Sequence, residues 1–243
     1  MTRLERRLLI DRMWRLIATV LAVLAIVLLA WILWTVVWRG ASALSLTVFT
    51  APTMPPGRGG GLANTIVGSL IQVAIGLAVA TPIGLLAGTW LAEIGRGRLA
   101  DAVRFVNDVL LSAPSILIGL FVYELLVKPL GGFSGASGAV ALAVLILPVV
   151  VRATEDMLRL VPGSLREAAF ALGASRREVV VQVLWRAART GIVTGILLAV
   201  ARAAGETAPL LFTSLGNLGW SFDLTKPMAS LPVAIYQYAA SPF

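Results

Sequence analysis

Long apolar runs dictate what this chain can become. Leu16 to Val37 passes 22 residues without one ionisable side chain. Crossing the hydrocarbon core of a bilayer takes about 20 mostly apolar residues, and a helix is one of the few structures that satisfies its own backbone there. Four more runs follow: about Leu62 to Leu91, about Val109 to Val127 with Glu124 near its end, about Gly135 to Val151 with Pro148 inside, and about Gly191 to Leu215 with Arg202, Glu206 and Pro209 inside. The expected fold class is all-α, a polytopic helical bundle of about five spans. Composition agrees: 58% of residues are hydrophobic and 13% charged, where soluble domains are about half apolar and a quarter charged.

The charges orient the bundle. Net charge is +8, carried by eighteen Arg with Lys128 and Lys226. A basic chain can signal nucleic acid, but here Arg clusters alternate with apolar runs. No nucleic-acid partner is expected; lipid is. Arg3 to Arg15, Arg96 to Arg104 and Arg152 to Arg189 place fifteen basic residues on one side of the membrane, against four on the other. The positive-inside rule therefore puts the N-terminus in the cytoplasm. Trp31, Trp34 and Trp38 close the first run as an interfacial aromatic group. That run is too long for a cleaved signal and has no small-residue cleavage site. The last segment, past Tyr236, Tyr238 and Pro242, falls outside. Cys and His are both absent, which excludes thiol chemistry and the commonest metal ligand, so no metal and no cofactor are expected. No G-x-x-x-x-G-K-[ST] pattern occurs and neither Lys is cytoplasmic, so the chain does not cradle ATP through a P-loop. Catalysis by this chain alone is not expected.

The cytoplasmic loop 152–189 is the most informative stretch. After Pro162-Gly163, Ser164-Leu165-Arg166-Glu167 fits a capping box, in which Ser and Glu satisfy exposed N–H groups at a helix start. The helix runs to Leu172, and Gly173 supplies a left-handed stop. Ser175-Arg176-Arg177-Glu178 opens a second helix the same way. Leu165, Ala168, Ala169 and Leu172 form one apolar stripe, expected to seat on the bundle. Phe170 lies about 140° from Leu165; it either packs on its neighbours or enters a groove on a partner. Glu155-Asp156 reads as solvated charge.

Within the fifth run, Arg202 and Glu206 share a helical face. Each is unfavourable near the bilayer centre by roughly 2.5–3.5 kcal/mol. They are either a buried pair that fixes packing or a polar step on an anion path, where Arg binds and Glu keeps it from trapping. Gly76, Ala80, Gly84 and Gly88 make a small-residue stripe, suited to close helix packing or to a moving interface. Pro82, Pro114, Pro148 and Pro209 each either kink or break a helix. Leu44 to Gly61, with Met54-Pro55-Pro56-Gly57, reads as a flexible external linker. The expected division is 1–60, holding the first span and linker, and 61–243, holding the bundle.

Glu167-Ala168-Ala169-x₃-Gly173 resembles the EAA loop of ABC importer permeases. The resemblance implies that Ser164, Glu167, Ala168, Ala169, Phe170 and Gly173 form a coupling helix that docks in a cleft of an ATPase subunit. Where that family continues with Ile-x-Leu-Pro, this sequence reads Val183-Leu184-Trp185-Arg186, and a second commonly placed Pro is Thr190. The following helix is therefore expected to run straighter. Ala201-Arg202-Ala203-Ala204-Gly205-Glu206-Thr207-Ala208-Pro209-Leu210 resembles the signature of PstA-type phosphate permeases, as do Leu147 to Glu155, Asn107-Asp108 with Ser112 to Ser115, and Pro227 to Pro232. The likeness covers about residues 60–243. It implies a MetI-like permease bundle in the cell inner membrane, with Arg202, Glu206 and Thr207 on the translocation path. The implied partners are a second homologous permease, an ABC ATPase dimer and an external phosphate-binding protein. A permease for sulfate or molybdate, a secondary transporter and a non-transporting scaffold are the alternatives. The family continues through one more span after Phe243, so a truncated chain is expected.

Overall fold

The computed structural model describes residues 3–55 and 57–241. Pro56 of the expected linker turn, and Pro242 and Phe243 at the expected chain end, lie outside the described residues. All regular structure among the described residues is helical. The chain forms two compact units, Met1–Val48 and Phe49–Phe243.

The first unit is dominated by α1 (Arg3–Ala41). At 1.5 Å per residue its 39 residues extend about 59 Å, well beyond a ~30 Å hydrocarbon core. Its basic first turns include an Arg15–Asp11 pair at 2.5 Å, and Trp34 stacks on Trp38 near its other end. A short α2 (Leu46–Thr50) follows.

In the second unit, α3 (Ala63–Glu93) and α6 (Gly135–Arg159) pack along their whole length. The small-residue stripe explains how. A Cβ added to Gly76 would come within 3.2 Å of Leu142, one on Gly84 within 2.8 Å of Val150, and one on Gly88 within 2.6 Å of both Thr154 and the Val151 carbonyl. The stripe is thus a packing surface. Leu142, Ile146 and Val150 of α6 are fully buried against Ala80 and Ile118.

Between these two helices the chain runs through α4 (Gly97–Ser112) and α5 (Ser115–Leu130), which meet at 106°. The expected third span, Val109 to Val127, is corrected accordingly: it is not one helix, since 109–112 end α4 and α5 opens at Ser115, and only the bent pair together is long and apolar enough to cross a membrane. Ala113 and Pro114 adopt extended backbone, as the residue before a proline prefers. Of the four prolines, Pro82 and Pro148 sit inside unbroken helices, while Pro114 and Pro209 stand at breaks.

After α6 come α7 (Gly163–Ala171), α8 (Arg176–Ala204), α9 (Ala208–Thr213) and α10 (Leu231–Ala239). The long α8 packs on α6 where Gly191 faces Met157 and Gly195 faces Ala153. It carries a π-helical segment at Val179–Leu184 and, with no proline, is otherwise continuous from Arg176. The expected fifth span, Gly191 to Leu215, stops at Ala204 instead. A break at 205–207 separates it from α9, whose Pro209 lies against Gly119 of α5.

The end of the unit away from α7 is closed by polar side chains. Buried Asn64 accepts the backbone N–H of Thr53 at 2.9 Å and its hydroxyl at 2.8 Å. Its amide donates to the carbonyls of Asn217, Leu218 and Gly219 at 3.1–3.2 Å. Ser214 donates to Met228 O at 2.7 Å, and Ser69 accepts the N–H of Leu231 at 2.7 Å. In the adjacent loop, the Thr225 hydroxyl holds the Asp223 carboxyl below its ordinary pKa. The flexible-linker expectation is corrected for its second half. Gly61 N–H bonds Pro52 O, Ala63 N–H bonds Ala51 O and Tyr238 donates to Met54 O. These bonds tie 49–55 and 57–61 to the second compact unit, Phe49–Phe243.

Candidate functional site

Two constellations hold the residues singled out from the sequence. The first is the α7 hairpin. Gly173 has φ +83°, with no heavy atom within 4 Å of where a Cβ would stand. Gly173 N–H bonds Phe170 O at 2.9 Å, and Ala174 N–H bonds Ala169 O at 3.1 Å. That pair of bonds is the Schellman stop expected of a glycine there. The Ser175/Glu178 capping box is present, with Ser175 N–H on Glu178 Oε2 at 2.7 Å. The Ser164/Glu167 box is not. The helix begins at Gly163 behind Pro162, with no side-chain cap, so Ser164 lies one residue inside it and past the capping position.

The seating of α7 is also corrected. Only Arg166 and Ala169 are half-buried, while Ser164, Leu165, Glu167, Ala168, Phe170 and Leu172 are exposed. Leu172, expected at the foot of a buried stripe, is 90% exposed, and Phe170 is 48% exposed. The attachment to the bundle is polar instead, because Arg166 reaches Glu93 and two backbone carbonyls. Of the apolar stripe only Ala169 packs on the bundle, against the buried cluster that includes Leu158, Val161 and Val179, while Leu165, Ala168 and Leu172 stay exposed.

Beside the hairpin lies a charge cluster that the sequence disguised. Glu155 is buried, its side chain 3% exposed. It pairs with Arg104 Nε at 2.8 Å and Arg159 Nη2 at 2.7 Å. Arg104 also donates to Leu91 O at 3.0 Å. The reading of Glu155 as solvated fails because Arg104 arrives from α4, 51 positions away in sequence. Asp156 is half-exposed and pairs with Arg152 at 3.0 Å. Neighbouring Asn107, also buried, donates to Pro148 O at 3.3 Å.

The second constellation is the helix break after Ala204. Arg202 is in the last turn of α8 and Glu206 is in the break, 3.5 Å apart at Nε and Oε1. Thr207 is the residue before α9 and contributes no side-chain cap. Glu206 is 16% exposed, but Arg202 is 44% exposed. Arg202 follows Arg189 by about 20 Å along α8, near or just past the middle of a bilayer-thick core. A cation exposed to lipid at that depth is strongly disfavoured. A half-exposed Arg at such a depth calls for water or a second protein surface rather than lipid. The hairpin and the break are not in contact; they mark the two ends of α8, whose 29 residues extend about 44 Å. Small grooves elsewhere are less suggestive. One of about 560 Å³ at the far end is lined by Phe133, Thr225 and Lys226, where Lys226 sits 3.6 Å from Asp223.

Comparison with known proteins agrees with this geometry. The phosphate transport system permease protein PstA of Haemophilus influenzae is 57% identical over 216 residues, covering 88% of this chain and 77% of that protein. PstA 1 of Mycobacterium tuberculosis is 40% identical over 231 residues, covering 90% and 74%. An inward-facing structure of the MetNI methionine ABC transporter superposes with a TM-score of 0.56 at 20% identity, over 74% of this chain and 79% of that one, and so shares the fold. Residues 80–241, which contain the hairpin, the charge cluster and the helix break, match the family described as binding-protein-dependent transport system inner membrane component, and to that family this chain belongs.

Proposed function

We propose that the chain is a membrane permease subunit of an ATP-driven phosphate importer. It provides part of the translocation path and couples that path to a separate ATPase. The observation that carries the reading is Arg202: a half-exposed guanidinium at a helix break, at a depth where only a water-filled route or a partner subunit can face it. Arg keeps its charge and offers a planar fork of donors to an oxyanion, and the loose 3.5 Å contact with Glu206 leaves that fork available. The relatives named for phosphate transport support phosphate as cargo over sulfate or molybdate.

In this reading a second, homologous permease covers the Arg202 face, and an ATPase dimer receives α7. An external phosphate-binding protein delivers cargo to the end closed by Asn64. The ten Arg residues of 96–104 and 152–189 support a cytoplasmic α7 end, and the five Arg residues before the first span support a cytoplasmic N-terminus. The α7 residues Ser164, Glu167, Ala168, Phe170 and Leu172, left exposed, form the docking surface, with Ala169 and Gly173 setting its shape. The test is ATP-driven phosphate uptake in vesicles holding the assembled importer. Phe170→Ala should insert normally, yet hydrolyse ATP with little uptake. Uptake equal to the parent protein would remove α7 from the coupling path.

A further inference from the structure

The apolar stripe of α7 touches the bundle only through the small side chain of Ala169, so a stronger link is needed to carry movement of α7 inward. One side chain makes the connection. Arg166 Nη2 donates to Glu93 Oε1 at 2.7 Å and to Leu158 O at 2.8 Å, and Nη1 donates to Val161 O at 2.8 Å. Nε shares the Glu93 carboxylate at 3.3 Å. Glu93 is the last residue of α3, and Leu158 is in the last turn of α6. Both partners are largely shielded, the Arg166 side chain at 23% and Glu93 at 14% exposure.

We propose that Arg166 is the positioning residue that transmits movement of α7 to the packed α3–α6 pair. It rests on reading α7 as the coupling helix. The guanidinium is a rigid planar fork, so its bonds fix orientation as well as distance. Leu158 O is in the last turn of α6 and Val161 O lies two residues beyond it, at the helix C-terminus where the dipole favours a cation. Only Ala169 accompanies Arg166 in half-burial on α7, so little apolar contact could substitute. A displacement of α7 therefore loads α3 and α6 together, and these are the two helices locked by Gly76, Gly84 and Gly88. The opposite side of α7 stays free for the motor.

The test uses the complete importer in vesicles, with inorganic phosphate as cargo, and reads phosphate delivered per ATP hydrolysed. Leu172→Cys, introduced into a chain with no cysteine of its own, reports whether α7 touches the ATPase by crosslinking. Arg166→Gln and Glu93→Ala should each lower phosphate per ATP about tenfold, the size of a typical coupling between sites, while the Leu172→Cys crosslink persists. The double variant should be no worse than the poorer single one. Arg166→Lys should also fail to restore the ratio, because a point charge cannot hold all three acceptors.

A purely structural role would lower membrane abundance and uptake in parallel and leave the ratio unchanged; that result overturns the proposal. If Arg166→Gln does not accumulate, Glu93→Ala, which leaves both carbonyl bonds, decides alone. A fall in its ratio supports the clamp and an unchanged ratio removes it. Absence of the crosslink with Arg166 intact would instead overturn the reading of α7 itself, and the clamp with it. A crosslink that forms, together with an unaltered ratio in the clamp variants, would overturn the clamp only.

Discussion

Gly88→Ala tests the packing on which both ends of the bundle depend. Alanine is the better helix former by about 1 kcal/mol, so in an unpacked helix the change would stabilise. At this position the new Cβ would stand 2.6 Å from Thr154 Cβ and 2.6 Å from the Val151 carbonyl oxygen. Ordinary contact begins near 3.4 Å, so roughly 0.8 Å must be found. The Thr154 side chain can shift, but the carbonyl belongs to the α6 backbone, so the helices must separate. Overpacking of this kind typically destabilises by about 1–3 kcal/mol, and two simultaneous clashes, one with backbone, argue for the upper part. Subtracting the propensity gain leaves a net loss of about 2 kcal/mol, near thirtyfold in the folded ratio.

Gly84→Ala meets only the Val150 side chain below 3 Å, at 2.8 Å, and should lose less. Gly132→Ala, with nothing within 4 Å, should be near neutral. The assay is SDS titration of purified protein in mild detergent, followed by Trp fluorescence. If Gly88→Ala matched the parent, or Gly84→Ala proved more damaging, the reading of the stripe as a backbone-limited contact would be wrong.

Asn64→Ala should lower stability by about 2 kcal/mol, because it strands the buried Thr53 N–H and hydroxyl; limited proteolysis should then cut near Thr53 or Asn217 first, and an unchanged pattern would refute the hub. Glu155→Gln should lose about 2 kcal/mol in the same SDS titration, the charge-assisted bonds being discounted for half-exposed Arg159; an unaffected midpoint would show that Arg104 and Arg159 do not depend on it. Arg202→Gln should depress phosphate uptake far more than membrane abundance, measured by immunoblot alongside transport; a parallel decline would make the Arg202–Glu206 pair a packing device.

Features that depend on one stretch of chain were legible in the sequence. Long apolar runs gave the helices α1, α3 and α6, Gly173 its left-handed stop and Ser175/Glu178 its capping box, because each rests on a local stretch of chain. Features that depend on distant partners were not. Glu155 looks like any loop carboxylate until Arg104 crosses from α4. Ser164 fits a capping box by spacing, but Pro162 takes the capping position and starts the helix two residues too early. The α7 stripe has the period of a buried face, and periodicity cannot tell burial within the chain from burial against a partner. Pro82 and Pro114 are equally disruptive by type. The first is flanked by α6 along its length, and the second stands where the chain turns by 106°. Arg202 and Glu206 were recognised as a pair, but the break between them was not, since an apolar run gives no warning of Gly205 ending the helix.

Asn64 has a consequence for the order of assembly. Its amide waits for carbonyls that lie 153–155 positions later in the chain. At 5–20 residues per second of synthesis, that interval is roughly 8–30 s. Throughout it, the start of α3 sits in the bilayer with a polar side chain whose distal acceptors have not yet been made. The nascent bundle is thus fastened last at the end that is synthesised first, and a ribosome stalled before residue 217 would leave it open.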